Sequence, residues 1–215
     1  QFSLDGLSGR INSSGSYTPD SVIRAETGLV VAKIGSQESS ARVRLLPTLP
    51  WRENFESLDD GEFPVPWIGV AGKFSVKSKD GNKVLSKPFV RRGIQRSYVY
   101  FGPSDLKNYT VQVDMMGTQV RRRIPDMGVI ASRYIMALGG GRQELNIHSW
   151  ASELRMAKSI AFPWEPNIWY TLKLQVTLEN GKGLIRGKVW PRSDPEPNTW
   201  SIEVEDPLPN SLGTP

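Results

Sequence analysis

The sequence lacks cysteine altogether and contains a single histidine, His148. Without cysteine there is no disulfide framework, no thiolate zinc site and no cysteine nucleophile. One histidine excludes most histidine-based metal sites and makes any Ser-His-Asp arrangement depend on that residue alone. No cofactor is predicted.

Long hydrophobic runs and a large excess of charge are also missing. No run approaches the roughly 20 apolar residues that cross a bilayer, so no membrane span is predicted. The 27 Lys and Arg exceed the 22 Asp and Glu by only five charges, which does not call for a nucleic acid or another polyanion as partner. The first residues, QFSLDGLSG, lack the parts of a signal peptide, so we expect any export signal to be removed or to lie upstream.

Short strand-like runs separated by turn residues fill the chain from Tyr109 to Asp206. They are YTVQVDMMG, MGVIASRY, QELNIHSW, LRMAKSIAF, WYTLKLQVTLENGKGLIRGKVWPR and TWSIEVED. Their alternation and spacing predict an all-β sandwich. The run WASELRMAK contains good helix formers, but strand-like runs flank it, and we interpret it as a loop followed by a strand.

The dipeptide Asn180-Gly181 predicts a tight type I′ hairpin and with it a register. On the core face the register places Val176 opposite Ile185, Leu174 opposite Gly187 and Leu172 opposite Val189. On the other face it places Thr171, Lys173 and Gln175 opposite Trp190, Lys188 and Arg186. A slip by one residue would mix the two faces, which favours this pairing.

The first 49 residues form a separate pattern that ends in a proline-rich exit. GRINSSGSYTP predicts strand, turn, strand, and Gly35-Ser36 predicts a hairpin between GLVVAKIG and SSARVRLLP. From Trp51 onward, WRENFESL is interpreted as a strand entry, and Asp80-Gly81 as the turn of the next hairpin.

Both parts resemble known families. The segments GRINSSGSYTP and GLVVAKIGSQESSARVRLLP resemble the C-terminal half of a bacterial immunoglobulin-like domain, covering residues 1–49. Residues 50–215 are similar to a concanavalin A-like lectin/glucanase jelly roll. The similarity is greatest to the C-terminal module of exported bacterial proteins with quinoprotein-like β-propeller repeats. The segments that carry this second resemblance are LPWRENFESLDDGEFPVPWIGVAGKF, YFGPSDLKNYTVQVDMMG, RRRIPDMGVIASRY, SWASELRMAKSIAFPWEPNIWYTLKLQV and GKVWPRSDPEPNTWSIEVEDPLPN.

The second resemblance implies a periplasmic or extracellular location and a place within a larger protein. It also implies a late strand that returns to pair near the first one. The tail from Pro209 to Pro215 offers no such strand, so we expect the final strand to be absent or supplied by another chain, leaving an open edge beside residues 54–58.

Glu203 and Glu205 are the candidate catalytic pair, because residues two apart on a strand project from one face. The resemblance implies the same arrangement, since retaining glycosidases of this fold place their acid and nucleophile on one strand. The competing interpretation is structural, since carboxylates on this strand would neutralise Lys173 and Lys188, which face each other in the predicted register.

The polar face of the hairpin is the candidate ligand site. Tryptophan faces stack on sugar rings, and Trp190 shares this face with charged neighbours. The predicted ligand-binding residues are Lys173, Arg186, Lys188 and Trp190, with His148 and Trp150 as neighbours. Trp200 has the parity of Ile202 and Val204, which predicts a position in the core.

Two further clusters receive structural interpretations. The arginines at 91, 92, 96 and 121–123 could meet an acidic polysaccharide or a phosphate, but no aromatic residues interleave with them, and a solvated loop is favoured. Asp59 and Asp60 precede Gly61 and could supply oxygen ligands to Ca²⁺, although acidic turns before glycine are common.

The sequence therefore predicts a non-catalytic binding or scaffolding module of a larger exported bacterial protein. Its expected partners are the rest of that polypeptide or another subunit, with carbohydrate as the candidate ligand. Two alternatives remain open. One is glycoside hydrolysis by Glu203 and Glu205, and the other is a purely structural module that packs on a propeller or a partner subunit.

Overall fold

The computed structural model describes residues 1–20, 25–89, 96–149 and 154–215. These residues form strands and connecting loops, with no helix among them and hence none that could cross a membrane. The strands are β1 (Phe2–Asp5), β2 (Arg10–Ile11), β3 (Tyr17–Thr18), β4 (Glu26–Ile34), β5 (Gln37–Leu45), β6 (Ser75–Lys79), β7 (Asn82–Ser86), β8 (Tyr109–Met116), β9 (Met127–Ala131), β10 (Tyr134–Gly139), β11 (Glu144–Ser149), β12 (Ala157–Ala161), β13 (Trp169–Glu179), β14 (Lys182–Pro191) and β15 (Ile202–Asp206). The all-β prediction is confirmed.

The chain divides into two compact units, Gln1–Phe101 and Gly102–Pro215. The predicted boundary between residues 49 and 50 separates the two family resemblances rather than two compact units, and it stays a prediction. Each unit holds its own sheets, so each is described by itself.

The first unit is built on antiparallel hairpins. One sheet has the order β1-β4-β5, and β2 pairs with β3 in a small ribbon. Gly35, with a φ of 59°, and Ser36 form the two-residue loop that places Ile34 opposite Gln37, as the sequence predicts. In the turn between β2 and β3, the side-chain oxygen of Asn12 accepts hydrogen bonds from the amides of Ser14 and Ser16.

The second hairpin of this unit, β6–β7, has the predicted Asp80-Gly81 turn, with Lys79 opposite Asn82. The predicted strand entry over WRENFESL is wrong, because no residue from 51 to 58, all of them described, lies in a strand. Local side-chain bonds hold a turn there instead. The carboxylate of Glu53 accepts the amide of Phe55, Asn54 accepts the amide of Glu56, and Phe55 has a φ of 64°.

The second unit is sandwich-like, with two four-stranded antiparallel sheets ordered β12-β11-β10-β9 and β15-β14-β13-β8. Their facing sides form the core. A Cβ built on Gly187 of β14 would lie 2.2 Å from the sulfur of Met136 and 3.5 Å from Ile147, both on the opposite sheet. The fully buried side chains include Leu138 and Leu145 on the first sheet and Leu172 and Leu174 on the second.

The β13–β14 hairpin has the predicted register throughout. Glu179 pairs with Lys182 around Asn180-Gly181, whose φ angles of 51° and 78° are those of a type I′ turn. Leu172, Leu174 and Val176 face the core, opposite Val189, Gly187 and Ile185. Two positive-φ residues adjacent in sequence thus determine which side of the sheet each later residue occupies.

Strand β10 is absent from the predicted ladder. Its sequence, YIMALG, has no polar alternation because it lies in the interior of its sheet, between β9 and β11, with five of its six residues buried. The preceding turn uses Ser132 and Arg133 at φ values of 48° and 66°, positions that glycine or asparagine more often occupy. The sequence therefore gives neither the usual strand pattern nor the usual turn signal.

The last residues, 207–215, are described and contain no strand. They are held by hydrogen bonds to the second unit. The Tyr109 hydroxyl donates to the Gly213 carbonyl, the Gly213 amide donates to the Leu106 carbonyl, and the Thr214 hydroxyl donates to the Gly102 carbonyl. A final strand supplied from elsewhere stays a prediction.

Candidate functional site

The candidate catalytic pair lies on the exposed edge strand β15. Arg186 Nε donates to Glu203 at 2.5 Å, and Lys182 Nζ lies 3.2 Å from a carboxylate oxygen of Glu205. Both cations belong to the neighbouring strand β14, which pairs with β15. The geometry therefore supports cross-strand ion pairs on β14 and β15.

Lys173 and Lys188 face each other as predicted, but the acid that neutralises them is Glu196, in the loop between β14 and β15. The expectation that Glu203 and Glu205 do so is wrong, because they pair with Arg186 and Lys182. Lys173 Nζ lies 2.8 Å and Lys188 Nζ 2.9 Å from Glu196. These hydrogen bonds, that from Lys173 first, hold the pKa of Glu196 below its usual value.

The same loop covers part of the face that the sequence predicts to be open. Lys188 Nζ also donates to the Pro197 carbonyl at 2.6 Å and lies 4.9 Å from the ring centroid of Trp200. The predicted core position of Trp200 is wrong. Its ring is half-buried against the outer face. The chain bends at Ser201 and β15 starts only at Ile202, so the alternation of the strand does not extend back to Trp200.

The structure brings together only some of the predicted ligand-binding residues. Lys173, Arg186 and Lys188 share the outer face of β13 and β14, whereas Trp190, on the same face, is only 8 % exposed. A ring that is buried in this way offers little surface for stacking on a sugar.

His148 lies on the outer face of the other sheet, in β11, because Ile147 and Ser149 on either side of it point into the core. Its Nδ1 is 3.1 Å from the side-chain oxygen of Asn146. The two sheets of the sandwich turn their outer faces in opposite directions, so His148 is not a neighbour of Lys173. Trp150, the other predicted neighbour, lies outside the described residues.

Asp60 is one of the two candidate Ca²⁺ ligands, and its carboxylate already accepts hydrogen bonds from other protein groups. Its oxygens accept the amide of Ser78 at 3.1 Å, the hydroxyl of Ser78 at 2.9 Å and Lys83 Nζ at 2.6 Å. These bonds, that from Lys83 first, lower the pKa of Asp60 to about 2. Asp59 contributes its backbone amide, which donates to Glu62. Within the described part of the chain, no three acidic or histidine side chains converge as metal ligands would.

The arginines at 121–123 lie in the loop between β8 and β9, as predicted, and all three are exposed. Arg96 is exposed as well. Arg91 and Arg92 lie outside the described residues.

An open cleft in the first unit was not foreseen from the sequence. It has a volume of about 530 Å³. Arg42 and Arg44 of β5 supply its two charged side chains, and the segment from Phe63 to Ala71 supplies an apolar wall that includes Val65, Trp67 and Ile68. Val65 and Ile68 are 49 % and 53 % exposed. No acidic residue is among the described side chains that line the cleft.

A cluster of aromatic rings in edge-to-face and tilted contact supports the apolar wall. The ring of Trp67 lies 4.8 Å from that of Phe101, 5.5 Å from that of Phe55 and 6.5 Å from that of Trp51, measured between centroids. Such contacts fix Trp67 in place before any ligand arrives. The sequence signal was the apolar run PVPWIGV, which contains Pro64 and Pro66, but nothing in the sequence places it beside Arg42.

One polar cluster is buried in the second unit. Asp206, at the end of β15, accepts the Tyr134 hydroxyl at 2.7 Å, Arg155 Nη2 at 2.9 Å and the Leu208 amide at 2.9 Å. Burial raises the pKa of Tyr134 to about 12, with the Asp206 hydrogen bond adding to the effect. Burial also acts to raise the pKa of Asp206, but its three hydrogen bonds outweigh this and hold the pKa below its usual value.

Comparison of the chain with protein-family models, with curated proteins and with solved structures finds no match.

Proposed function

We propose that this chain is a non-catalytic binding module whose contact surface is the cleft of the first unit. The observation that carries the proposal is the composition of that cleft, which is lined by an apolar segment around Trp67 and by the two arginines Arg42 and Arg44. Apolar surface with a few well-placed charges is typical of binding sites. Its positive charge calls for a carboxylate-bearing partner.

The ion pairs of the second unit support a non-catalytic role. Glu203 and Glu205 each have a cation beside them, and Glu196 bridges two lysines. In this proposal the three carboxylates act as structural ion-pair partners and not as a general acid. The second unit in this proposal is a scaffold.

The architecture and the setting are part of the same proposal. Two facing four-stranded antiparallel sheets support a concanavalin A-like jelly roll, and the β4–β5 hairpin supports an immunoglobulin-like segment before it. Export from a bacterial cell, as one module of a larger protein, follows from the resemblance and would present the cleft to extracellular polymers.

A combined binding and hydrolysis assay tests the proposal. The probes are polygalacturonate and poly-L-glutamate, which carry carboxylates on sugar rings and on peptide side chains respectively. We expect saturable binding of at least one probe, weaker with Arg42→Gln and unchanged with Lys77→Gln, which removes an exposed charge of β6. No reducing ends should be released. Hydrolysis of a polysaccharide that disappears in Glu203→Gln would instead establish the glycosidase alternative.

A further inference from the structure

Strand β5 is a long edge strand. It has nine residues, and among the described residues its only backbone partner is β4. Its first six residues are exposed. An edge strand of this length presents a row of N–H and C=O groups that another strand can pair with, and proteins usually block such edges.

The hairpin register identifies the groups that face outward. Ile34 and Gln37 flank the two-residue loop, so they form a hydrogen-bonded pair, and such pairs alternate with non-bonded ones along an antiparallel ladder. Glu38, Ser40 and Arg42 occupy the non-bonded positions. Their backbone N–H and C=O groups therefore point away from β4, toward the open edge.

The cleft lies beside this same strand. Arg42 and Arg44 are two residues apart, so both side chains project from one face of β5, and both line the cleft. Burial, followed by the charge of Arg42, lowers the pKa of Arg44. The guanidinium of Arg42, an exposed residue of β5, gives this side of the cleft a positive charge that a carboxylate on the partner would complement.

We propose that β5 captures an extended, acidic segment of a partner polypeptide, which adds to the sheet as a further strand and places alternate side chains in the cleft. This inference rests on the proposed binding function and names its partner. Strand addition provides affinity through backbone hydrogen bonds and specificity through pockets for every second side chain. An acidic polysaccharide would meet the arginines but would leave the outward N–H groups of Ser40 and Arg42 without strand partners.

The probes are blocked nine-residue peptides. In the first, valine alternates with glutamate. In the second, proline replaces valine, which keeps the charge but removes half of the backbone donors and prevents regular pairing. In the third, lysine replaces glutamate. We expect the first peptide to bind saturably and the other two to bind at least about tenfold more weakly, by fluorescence anisotropy of a labelled end.

Variants of the protein separate the backbone from the charge. Ser40→Pro removes an outward donor without touching the β4 ladder, and proline is tolerated on edge strands. It should abolish binding of the valine–glutamate peptide and leave binding of polygalacturonate, where present, unchanged. Arg42→Gln should weaken binding about tenfold, and the control Lys77→Gln should change it less than about twofold.

Each outcome decides between the two proposals. If polygalacturonate binds and depends on Arg42 while the valine–glutamate peptide does not bind, strand capture is overturned and the binding function stands. If the proline peptide binds as well as the valine peptide, strand capture is also overturned. This comparison needs only the wild-type protein, so it holds even where Ser40→Pro fails to fold. If no anionic probe binds, both proposals fail.

Discussion

The hydroxyl of Tyr134 donates a 2.7 Å hydrogen bond to Asp206, and neither residue is more than 1 % exposed. Tyr134 begins β10 and Asp206 ends β15, so the bond joins the two sheets of the second unit. Arg155 donates to the same carboxylate oxygen. The three hydrogen bonds that Asp206 accepts offset the cost of burying its charge. The loss of any one donor leaves part of that cost without an offset.

Tyr134→Phe should destabilise the second unit by about 1–3 kcal/mol, because it removes a donor to a buried charge and the acceptor of the Asn210 amide. Urea unfolding followed by tryptophan fluorescence measures the change. Tyr98→Phe, which removes the hydroxyl of an exposed side chain, is the control and should change the free energy of unfolding by less than about 0.5 kcal/mol. Equal effects in the two variants would contradict the role given to this bond.

The lowered pKa of Asp206 predicts that the protein loses stability in acid. Because the folded value lies below the ordinary 3.8, the stabilising contribution of Asp206 is present at neutral pH and is lost as the pH falls below 3.8 and through the folded value. The urea midpoint of the wild-type protein should therefore fall over this range. In Asp206→Asn the fall should be smaller, because this group no longer titrates. Some fall should remain, because the other carboxylates that titrate in this range are retained. An identical pH dependence in the two proteins would rule out this linkage.

Glu196→Gln should lower the thermal midpoint, because Lys173 and the largely buried Lys188 would then face each other without an acid between them. Adding Lys173→Met should recover part of the loss by removing one of the two like charges. Glu165→Gln is the matched control, since Glu165 is exposed in the same unit and makes no described ion pair. A double variant less stable than Glu196→Gln would argue against repulsion as the cause.

The carboxyl group of Asp60 should titrate at about 2, as followed by its carbon chemical shift during an acid titration. Lys83→Gln should raise this pKa toward the ordinary 3.8, because the hydrogen bond from Lys83 is the largest cause of the shift. Ser78→Ala should raise it less. A pKa near 3.8 in the wild-type protein would show that the clamp between Asp60 and the β6–β7 hairpin does not persist in solution.

Gly128→Ala should destabilise the sheet of β9 to β12 by about 1–3 kcal/mol. An added Cβ would lie 2.3 Å from the backbone oxygen of Met136 and 2.9 Å from the Cα of Ala137, and neither atom can move without shifting β10. Gly141→Ala is the control, since nothing lies within 4 Å of its added Cβ. Thermal unfolding of both variants makes the comparison.

The sequence was most informative where one local signal determines many positions. Asn180-Gly181 determines the β13–β14 register and with it the face of each residue in both strands. The prediction failed where local side-chain chemistry replaced a pattern, as at Glu53 and Asn54, and where a bend ended the parity, as before Trp200. It also missed β10, because a strand buried on both faces shows no alternation.

The candidate site could not be predicted for a different reason. Arg42 belongs to a strand and Trp67 to a loop more than twenty residues later, and only the fold brings them to one cleft. For the site that the sequence did predict, the strand residues were correct but the loop that covers them was missed. Lys173 and Lys188 were placed correctly, but Glu196 and Trp200 come from a loop whose path no pattern indicates.

The strand order of the second unit also has a consequence for the order in which it assembles. Strands β9 to β12 are neighbours in both the sheet and the sequence, so each can pair with the strand made just before it. Strand β8 pairs with β13 instead, with Met116 opposite Trp169, more than fifty residues later. As the chain leaves the ribosome, we expect the β9–β12 meander to form first, while β8 stays without its partner until β13 emerges. The earliest strand of this unit is thus among the last to be secured.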